Sequence, residues 1–331
     1  MKHLSRAFIG GVLIFLSWIA PSHSADKAKI TLNWTPDAYS AGIIYAKEQG
    51  IYAREQIEVE IEPGKGSGTT SQLVAAGSTD LGYANAGSAI SLAAKGAPIT
   101  IIAPVTQAVE WGITSLADTP INTPKDLEGK TIAIAPGSAD IPLFEAMIAA
   151  SGVDKSKINI ISADSATFIG LLADKKIDGA SGAPGDYLVP MAAKGIAAKH
   201  MYYRDYGAPL IGLSLIANSQ KLKENPDLYK RLVKATLEGY AEAAKNPDAA
   251  IDTLLKNYPL NGNREELIAT LKQYTIPSLC AKGAAGLGKA PDAIWQITGE
   301  VLTKTYGSLG DGGIKALYTN DYLPQNLPAC P

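Results

Sequence analysis

The sequence predicts an α/β fold in which two doubly wound lobes are followed by a helical C-terminal section. Three observations carry this prediction. Short apolar runs alternate with amphipathic helical patterns through the first part of the chain, which is typical of mostly parallel sheets covered by helices. The alternation starts a second time near residue 130, and helical patterns dominate from about residue 225.

The first half contains four predicted strands. They are expected at residues 29–33, 59–61, 81–83 and 99–103, with helices at 41–49, from the loop at 64–70 to about 76, and at 88–95. Gly50 closes the first helix, because glycine accepts the left-handed conformation that ends many helices.

The second half repeats this order. Strands are expected at 131–135, 158–161, 178–180 and 199–202, helices at 142–150 and through 171–173, a loop at 182–187, and a returning strand at 213–216. Residues 31, 32 and 36 have counterparts 100 positions later, and 69, 73, 75 and 80 have counterparts 98 positions later. We interpret this as a weak internal duplication, with chance matching of common residues as the alternative.

The domain organisation follows from this repeat. The first lobe is expected to comprise residues 25–108 and 213–331, and the second lobe residues 109–212. Four helices, at 225–245, 248–257, 264–274 and 291–304, are expected to pack around the first lobe. Two facing lobes form a cleft that can close by a hinge motion.

The N-terminus has the pattern of a secretory signal peptide. Lys2 and Arg6 precede an apolar stretch at 7–20, and a small-residue site predicts cleavage after Ser24. A retained membrane anchor is the alternative, but the stretch is short for a span of about 20 residues. We expect export to the periplasm.

The charge and the cysteine content bear on the possible binding partners and on the redox state of the protein. Without residues 1–24 the chain has 28 basic and 32 acidic residues, a net charge of −4, and it contains no basic run that would favour nucleic acid. Cys280 and Cys330 are expected to form one disulfide that fastens the C-terminal tail, with a reactive thiol as the alternative.

The loop after the first strand offers aromatic, acidic and hydroxyl groups at the start of a helix. Trp34 and Tyr39 suit stacking on a flat ring, and Asp37 can accept hydrogen bonds from ring amines, with Ser40 beside it. The structural alternative places Trp34 in the core and makes Asp37 a helix cap.

The loop at 64–70 is the second candidate. Gly66 and Gly68 permit a close backbone approach, and Ser67 or Thr69 can cap the following helix, whose free amides can hold a ligand oxygen. A plain glycine-rich turn is the alternative.

Further candidates follow later strands in both lobes. Asn85 and Ala86 lie in a predicted first-lobe loop at 83–87, and Gly137 and Ser138 lie in the equivalent second-lobe loop at 136–140. The remaining candidates are a second carboxylate and ring, Asp186 and Tyr187, and a pair where the chain first crosses between lobes, Glu110 and Trp111.

The sequence offers little for catalysis. It contains none of the common hydrolase, dinucleotide-binding or paired-cysteine motifs. His200 lies in a predicted strand beside no nucleophile and is expected to be structural. We therefore predict a binding protein with no catalytic residue, no metal ligand and no cofactor.

Several segments in order resemble the NMT1/THI5-like (SsuA/THI5-like) family. They are residues 32–37, 41–52, 66–68, 73–77 with 80–82, 127–132 and 319–324. The resemblance spans nearly all of the chain after residue 24 and is nearest to the binders of thiamine-precursor pyrimidines. It implies a type II periplasmic binding protein fold and the role of substrate-binding protein for an ABC transporter.

The resemblance also implies partners and alternatives. The expected partners are a small-molecule ligand and an ABC permease with its ATPase, and the chain is expected to be a monomer. The synthases of the family carry a cysteine-rich cluster that this chain lacks, and Tyr39-Ser40 replaces the Asn-His of many pyrimidine binders. The alternatives are therefore an organic-anion binder (sulfonate, taurine or aromatic carboxylate), a flavin binder, a pyrimidine-synthase-like enzyme and a sensor subunit.

The charged residues near these loops favour one kind of ligand. Lys65 is the clear basic residue there, whereas Asp37, Glu110 and Asp186 are acidic. We expect a neutral or amine-bearing heteroaromatic ligand rather than a dianion.

Overall fold

The computed structural model describes residues 24–138, 140–208, 211–259 and 262–331. The predicted signal peptide lies outside the described residues except for Ser24. No helix within these ranges combines the length and apolarity that a membrane crossing requires.

The described residues form ten strands in two five-stranded sheets. The strands are β1 Asp26–Thr31, β2 Ile57–Glu62, β3 Leu81–Asn85, β4 Ile99–Pro104, β5 Gly112–Leu116, β6 Thr131–Ile134, β7 Asn159–Ser162, β8 Gly179–Gly182, β9 Ala198–Tyr202 and β10 Leu213–Asn218.

The two sheets have the same topology. The first has the order β2-β1-β3-β10-β4 and the second the order β7-β6-β8-β5-β9. In each sheet four strands run in the same direction, and the first strand after a crossing between the sheets, β10 or β5, is antiparallel to its two neighbours. This shared order agrees with the internal duplication inferred from the sequence.

Helices follow most strands and make up the C-terminal section. They are α1 Ala41–Glu48, α2 Ile51–Arg54, α3 Ser67–Ala75, α4 Ala86–Ala93, α5 Asp140–Ser151, α6 Phe168–Ala173, α7 Pro184–Ala193, α8 Ser219–Glu224, α9 Pro226–Lys245, α10 Pro247–Asn257, α11 Arg264–Thr270, α12 Ile276–Ser278 and α13 Asp292–Tyr306. A π-helical turn, Leu271–Thr275, joins α11 to α12.

Three local predictions were wrong. Strand β5 was missed because Thr114 and Ser115 interrupt its apolar pattern, although both are buried and hydrogen-bonded. The predicted loop at 182–187 is largely the first turn of α7, where Pro184 needs no hydrogen-bond donor. The segment 83–87 is not a loop either, since β3 leads directly into α4 and Asn85 caps that helix.

The chain crosses between the sheets at residues 105–111 and again at 203–212. The two crossings are bonded to each other, because the amide of Gly212 donates to the Thr106 carbonyl at 3.0 Å and the amide of Leu213 donates to the Thr106 hydroxyl. A Cβ at Gly212 would lie 2.2 Å from the Thr106 Oγ1, so this contact requires glycine.

The C-terminal section packs on both halves, and not only on the first as the sequence suggested. Helices α9 and α10 pack on α1, whereas α11 packs on α7 and α13 packs on α5. The α1–α9 contact is close, since a Cβ at Gly42 would lie 2.5 Å from the Tyr240 ring.

A disulfide joins Cys280 to Cys330, whose Cα atoms lie 5.9 Å apart. The tail that it holds also pairs with the first sheet, where the Ile101 amide donates to the Leu317 carbonyl and the Thr319 amide donates to the Ile101 carbonyl. Trp295 stacks on Tyr318 with ring centroids 3.9 Å apart.

We predict that removal of the disulfide lowers the free energy of unfolding by up to about 4 kcal/mol, because the bond closes a long loop in the unfolded chain. Urea unfolding of the Cys280→Ser/Cys330→Ser protein measures this loss. A reducing agent should destabilise the native protein and leave the double variant unchanged; equal stability of the two proteins under oxidising conditions would contradict the prediction.

Candidate functional site

A cavity of about 70 Å³ lies where the two sheets face each other. It is bounded by segments that follow β1, β6 and β8 and by the first crossing, in keeping with ligand sites beyond the carboxyl ends of parallel strands. The lining residues are Asn33, Trp34, Asp37, Tyr39, Trp111, Ala135, Ser138, Asp140, Ser165, Ser181, Gly182, Ala183, Asp186, Tyr187 and Leu213.

The cavity brings together part of the predicted site. Among the described residues, the predicted ones that line it are Trp34, Asp37, Tyr39, Trp111, Ser138, Asp186 and Tyr187. The other predicted residues lie around the cavity and not on its wall: Ser40, Gly66, Ser67, Gly68, Thr69, Asn85, Ala86, Glu110 and Gly137.

The C-terminal helices hold Tyr39 in place. Its carbonyl accepts a hydrogen bond from the Tyr83 hydroxyl at 2.9 Å and another from the Tyr240 hydroxyl of α9 at 2.8 Å. The Tyr39 side chain is only 6% exposed. Its own hydroxyl lines the cavity and has no hydrogen-bond partner among the described residues.

Ser40 does not line the cavity but bonds to Asp37, which does. Its amide donates to the Asp37 Oδ1 at 3.0 Å, and its hydroxyl lies 3.2 Å from the same oxygen. Because Ser40 is buried and already bonded, it orients the Asp37 carboxylate rather than lining the cavity.

The glycine-rich loop at 64–70 forms part of the contact between the two halves of the chain. The Gly68 amide donates to the Gly137 carbonyl at 3.3 Å, and a Cβ at Gly66 would lie 2.3 Å from the same carbonyl oxygen. Thr69 is exposed. These residues therefore close the cleft beside the cavity.

Ser67, Asn85 and Ala86 form hydrogen bonds with other parts of the protein. The Ser67 hydroxyl accepts from the Asn85 amide at 3.0 Å, and the Ala86 amide donates to the Gly212 carbonyl at 3.0 Å. Both bonds use groups that the sequence had suggested for a ligand.

Glu110 lies in a recess of about 10 Å³ that shares Tyr39, Trp111, Ala183 and Leu213 with the cavity wall. Its Oε1 is 3.8 Å from Arg204, and its buried Oε2 has no partner among the described residues. Burial raises the pKa of Glu110 to about 7, and the Arg204 charge partly opposes this shift.

His200 is structural, as the sequence suggested. Its Nδ1 lies 2.8 Å from the Thr114 hydroxyl and its Nε2 lies 3.2 Å from the Glu110 carbonyl. Burial lowers the pKa of His200 to about 4, so the imidazole is neutral at physiological pH.

Three carboxylates line the cavity, and one of them was missed. Asp140, at the start of α5, is 5% exposed. It follows β6 as Asp37 follows β1, so the repeat offered a signal for it. Burial raises the pKa of Asp37 and of Asp140 to about 6. Burial, and then the charges of Asp37 and Asp140, raise the pKa of Asp186 well above its usual range.

Aromatic rings supply the apolar part of the wall. Trp34 reaches from the first half and packs against an apolar cluster of the second sheet that includes Phe168 and Tyr187. The Tyr187 ring stacks on Phe168 with centroids 6.3 Å apart, and its hydroxyl donates to the Ser181 carbonyl at 3.0 Å. These contacts fix the ring that faces the cavity.

The donor set does not form a metal centre. Within the described part of the chain, no group of three His, Cys, Asp or Glu side chains is placed to hold a metal ion.

Comparison with known proteins identifies the family. The model described as "NMT1/THI5 like" matches residues 37–250, which is more than half of the chain. The chain therefore belongs to the NMT1/THI5-like family, as the sequence motifs indicated.

Its relatives are mostly named binding proteins. The formylaminopyrimidine-binding protein of Halalkalibacterium halodurans is 24% identical over 70% of this chain and 71% of its own length. The riboflavin-binding protein RibY of Chloroflexus aurantiacus is 22% identical over 92% of this chain and 89% of its own. A 4-amino-5-hydroxymethyl-2-methylpyrimidine phosphate synthase of Legionella pneumophila is 23% identical over 73% of this chain and 77% of its own.

Solved structures confirm the predicted fold. The periplasmic aliphatic sulphonate binding protein SsuA of Escherichia coli superposes with a TM-score of 0.67 at 16% identity, covering 85% of this chain and 87% of the other. The fold is thus that of a type II periplasmic binding protein, with two doubly wound α/β lobes and a helical C-terminal section.

We predict that Gly66→Ala prevents full closure of the cleft, because the new Cβ would meet the Gly137 carbonyl. Small-angle X-ray scattering should then give a larger radius of gyration than for the native protein. Gly96→Ala is the matched control, since Gly96 also has a positive φ, of 91°, but nothing within 4 Å of the added Cβ. Equal radii for all three proteins would contradict this prediction.

We predict that Asp140→Asn stabilises the empty protein above pH 6 and not below pH 4. The folded-state pKa of about 6 exceeds the ordinary aspartate pKa of 3.8, so the native protein loses stability as pH rises through this window, by at most about 3 kcal/mol. Thermal unfolding at several pH values measures the difference between variant and native protein. A constant difference at every pH would show that charge burial is not its cause.

Proposed function

We propose that this chain is the exported solute-binding component of an ABC uptake transporter and captures a compact nitrogen heteroaromatic ligand in the cavity. The single observation that carries the proposal is a cavity between two lobes of the same topology, with aromatic and polar walls from both. The proposed location is the periplasm, and the proposed partners are the ligand and a permease with its ATPase. We propose a monomer.

The proposed lobes are residues 25–108 with 213–331, and residues 109–212. The crossings at 105–111 and 203–212 would serve as the hinge, because opening there leaves each sheet intact. The contact between Gly68 and Gly137 would form as the lobes close. Closure of this kind would give the permease a signal that ligand is present.

A small ring suits the cavity better than a flavin. The volume of about 70 Å³ is below the 150 Å³ of an engineered cavity that binds benzene, so slight opening admits one ring. It is far below the 300–1,000 Å³ of typical drug-sized sites. The rings of Trp34, Tyr39, Trp111 and Tyr187 offer stacking surfaces, and the formylaminopyrimidine binder supports a pyrimidine-like ligand.

Binding rather than synthesis fits the described chemistry. His200 is neutral and bonded on both ring nitrogens, and Cys280 and Cys330 are bonded to each other. The relative named a synthase makes pyrimidine synthesis the second candidate. Formation of a pyrimidine by the purified protein would favour it over the proposed role.

A thermal-shift screen of pyrimidines, flavins, sulfonates and aromatic acids tests the proposal. A single-ring nitrogen heterocycle at 100 times its dissociation constant should stabilise the protein by about 2.7 kcal/mol. Absence of stabilisation by any single-ring compound would overturn the proposed ligand.

We predict that Trp34→Ala weakens binding of the ligand found in that screen by tenfold or more, because it removes a stacking wall. Isothermal titration calorimetry measures the affinity. Tyr258→Ala serves as the control, since Tyr258 is also a half-buried aromatic residue but lies outside the cavity. Equal loss in both variants would indicate a general effect on folding.

A further inference from the structure

The charged groups of the cavity wall all have the same sign. Among its described lining residues, the charged ones are Asp37, Asp140 and Asp186. Asp186 lines the cavity and is itself exposed to solvent.

A second observation marks the same place as a binding position. The Tyr39 hydroxyl is buried without a partner among the described residues, and it lines the same cavity as the three carboxylates. A buried polar atom without a partner is costly, so a ligand group with hydrogen-bonding capacity is expected to contact this hydroxyl.

We propose that the ligand is bound as a compact organic cation. Its ammonium, amidinium or protonated ring nitrogen pairs with Asp186, and Asp37 and Asp140 share the positive charge. The aromatic residues hold the apolar part of the ligand, and their ring faces also attract a cation. The inference rests on the proposed function, because it assigns a charge class to the ligand of the same cavity.

The charge of the cavity wall favours a cationic ligand over a neutral or an anionic one. Three ionised carboxylates in one cavity repel one another, and burying each of them without a counter-charge is costly. A cation compensates that cost and releases protons from the carboxyls with which it pairs. A neutral ligand supplies no counter-charge, and an anion adds a further like charge.

Binding of the cation should weaken as pH falls. The pKa of Asp37 and of Asp140 is raised to about 6, so these groups become neutral between pH 7 and pH 5. The titratable and charged groups that surround the cavity are Asp37, Tyr39, Glu110, Asp140, Asp186, Tyr187, His200, Tyr203 and Arg204. Arg204 pairs with Glu110 and not with a carboxylate of the cavity wall.

The test uses two series of compact rings that differ in charge. One is an aminopyrimidine with an aminomethyl, a hydroxymethyl or a carboxyl substituent, and the other is benzylamine, benzyl alcohol and benzoate. At pH 7 the amine of at least one series should bind at least about tenfold more tightly than its alcohol, equivalent to about 1.4 kcal/mol. Calorimetry in two buffers of different ionisation enthalpy should show proton release for the amine alone.

A variant locates the effect. Asp186→Asn should reduce the affinity ratio of amine to alcohol towards one. Asp311→Asn is the control, because it removes an exposed carboxylate outside the cavity and should leave the ratio unchanged. The ratio in the native protein decides the inference even if Asp186→Asn fails to fold.

The possible outcomes separate the two proposals. If in both series the alcohol or the carboxylate binds as tightly as the matching amine, the cationic ligand is wrong and the solute-binding role stands. If both amines fail to bind while neutral or anionic compounds from the thermal-shift screen bind, the result is the same. If no compound of any charge binds, the proposed ligand class and this inference fail together.

Discussion

The rest of the structure depends on one feature of the topology: after each crossing, the first strand inserts into the sheet that the chain has just entered. Strand β10 inserts between β3 and β4 after the chain has built the second sheet, and β5 inserts between β8 and β9 immediately after the chain leaves the first. The second sheet is therefore complete after one crossing, whereas the first is complete only when the chain has crossed back. The crossings at 105–111 and 203–212 follow from this topology, and the bonds of Thr106 to Gly212 and Leu213 hold them side by side.

This arrangement also explains where the cavity lies. The parallel strands of both sheets end at the cleft, so the segments after β1, β6 and β8 meet there. The C-terminal helices then brace it from outside. Tyr240 of α9 bonds the Tyr39 carbonyl, while α11 and α13 reach α7 and α5 of the second half. The C-terminal helices therefore support the closed arrangement of the two lobes, although none of their described residues lines the cavity.

The wall of the cavity carries an energetic cost in the empty protein. Burial raises the pKa of Asp37, Asp140 and Asp186, and the Tyr39 hydroxyl lacks a partner among the described residues. Unpaired buried groups oppose closure until a ligand satisfies them. Affinity and closure are thus linked through the same atoms, a property that suits the proposed role.

The sequence by itself determined the α/β class, the repeat and the family. Apolar runs such as 29–33 and 131–135 overlap the observed strands β1 and β6. The loop residues Trp34, Asp37 and Tyr39 line the cavity because they follow β1 closely in the chain. The sequence did not reveal β5, whose Thr114 and Ser115 are tolerated in the core only because partners distant in sequence bond them.

The tertiary structure alone decided which polar groups remain free for a ligand. Ser40, Ser67 and Asn85 looked equivalent to Ser138 in the sequence, which gave Asp140 no role. The first three bond to other parts of the protein, whereas Ser138 and Asp140 line the cavity. Hydrogen-bond capacity is a property of a residue type, but its use depends on which neighbours the fold brings within about 3 Å.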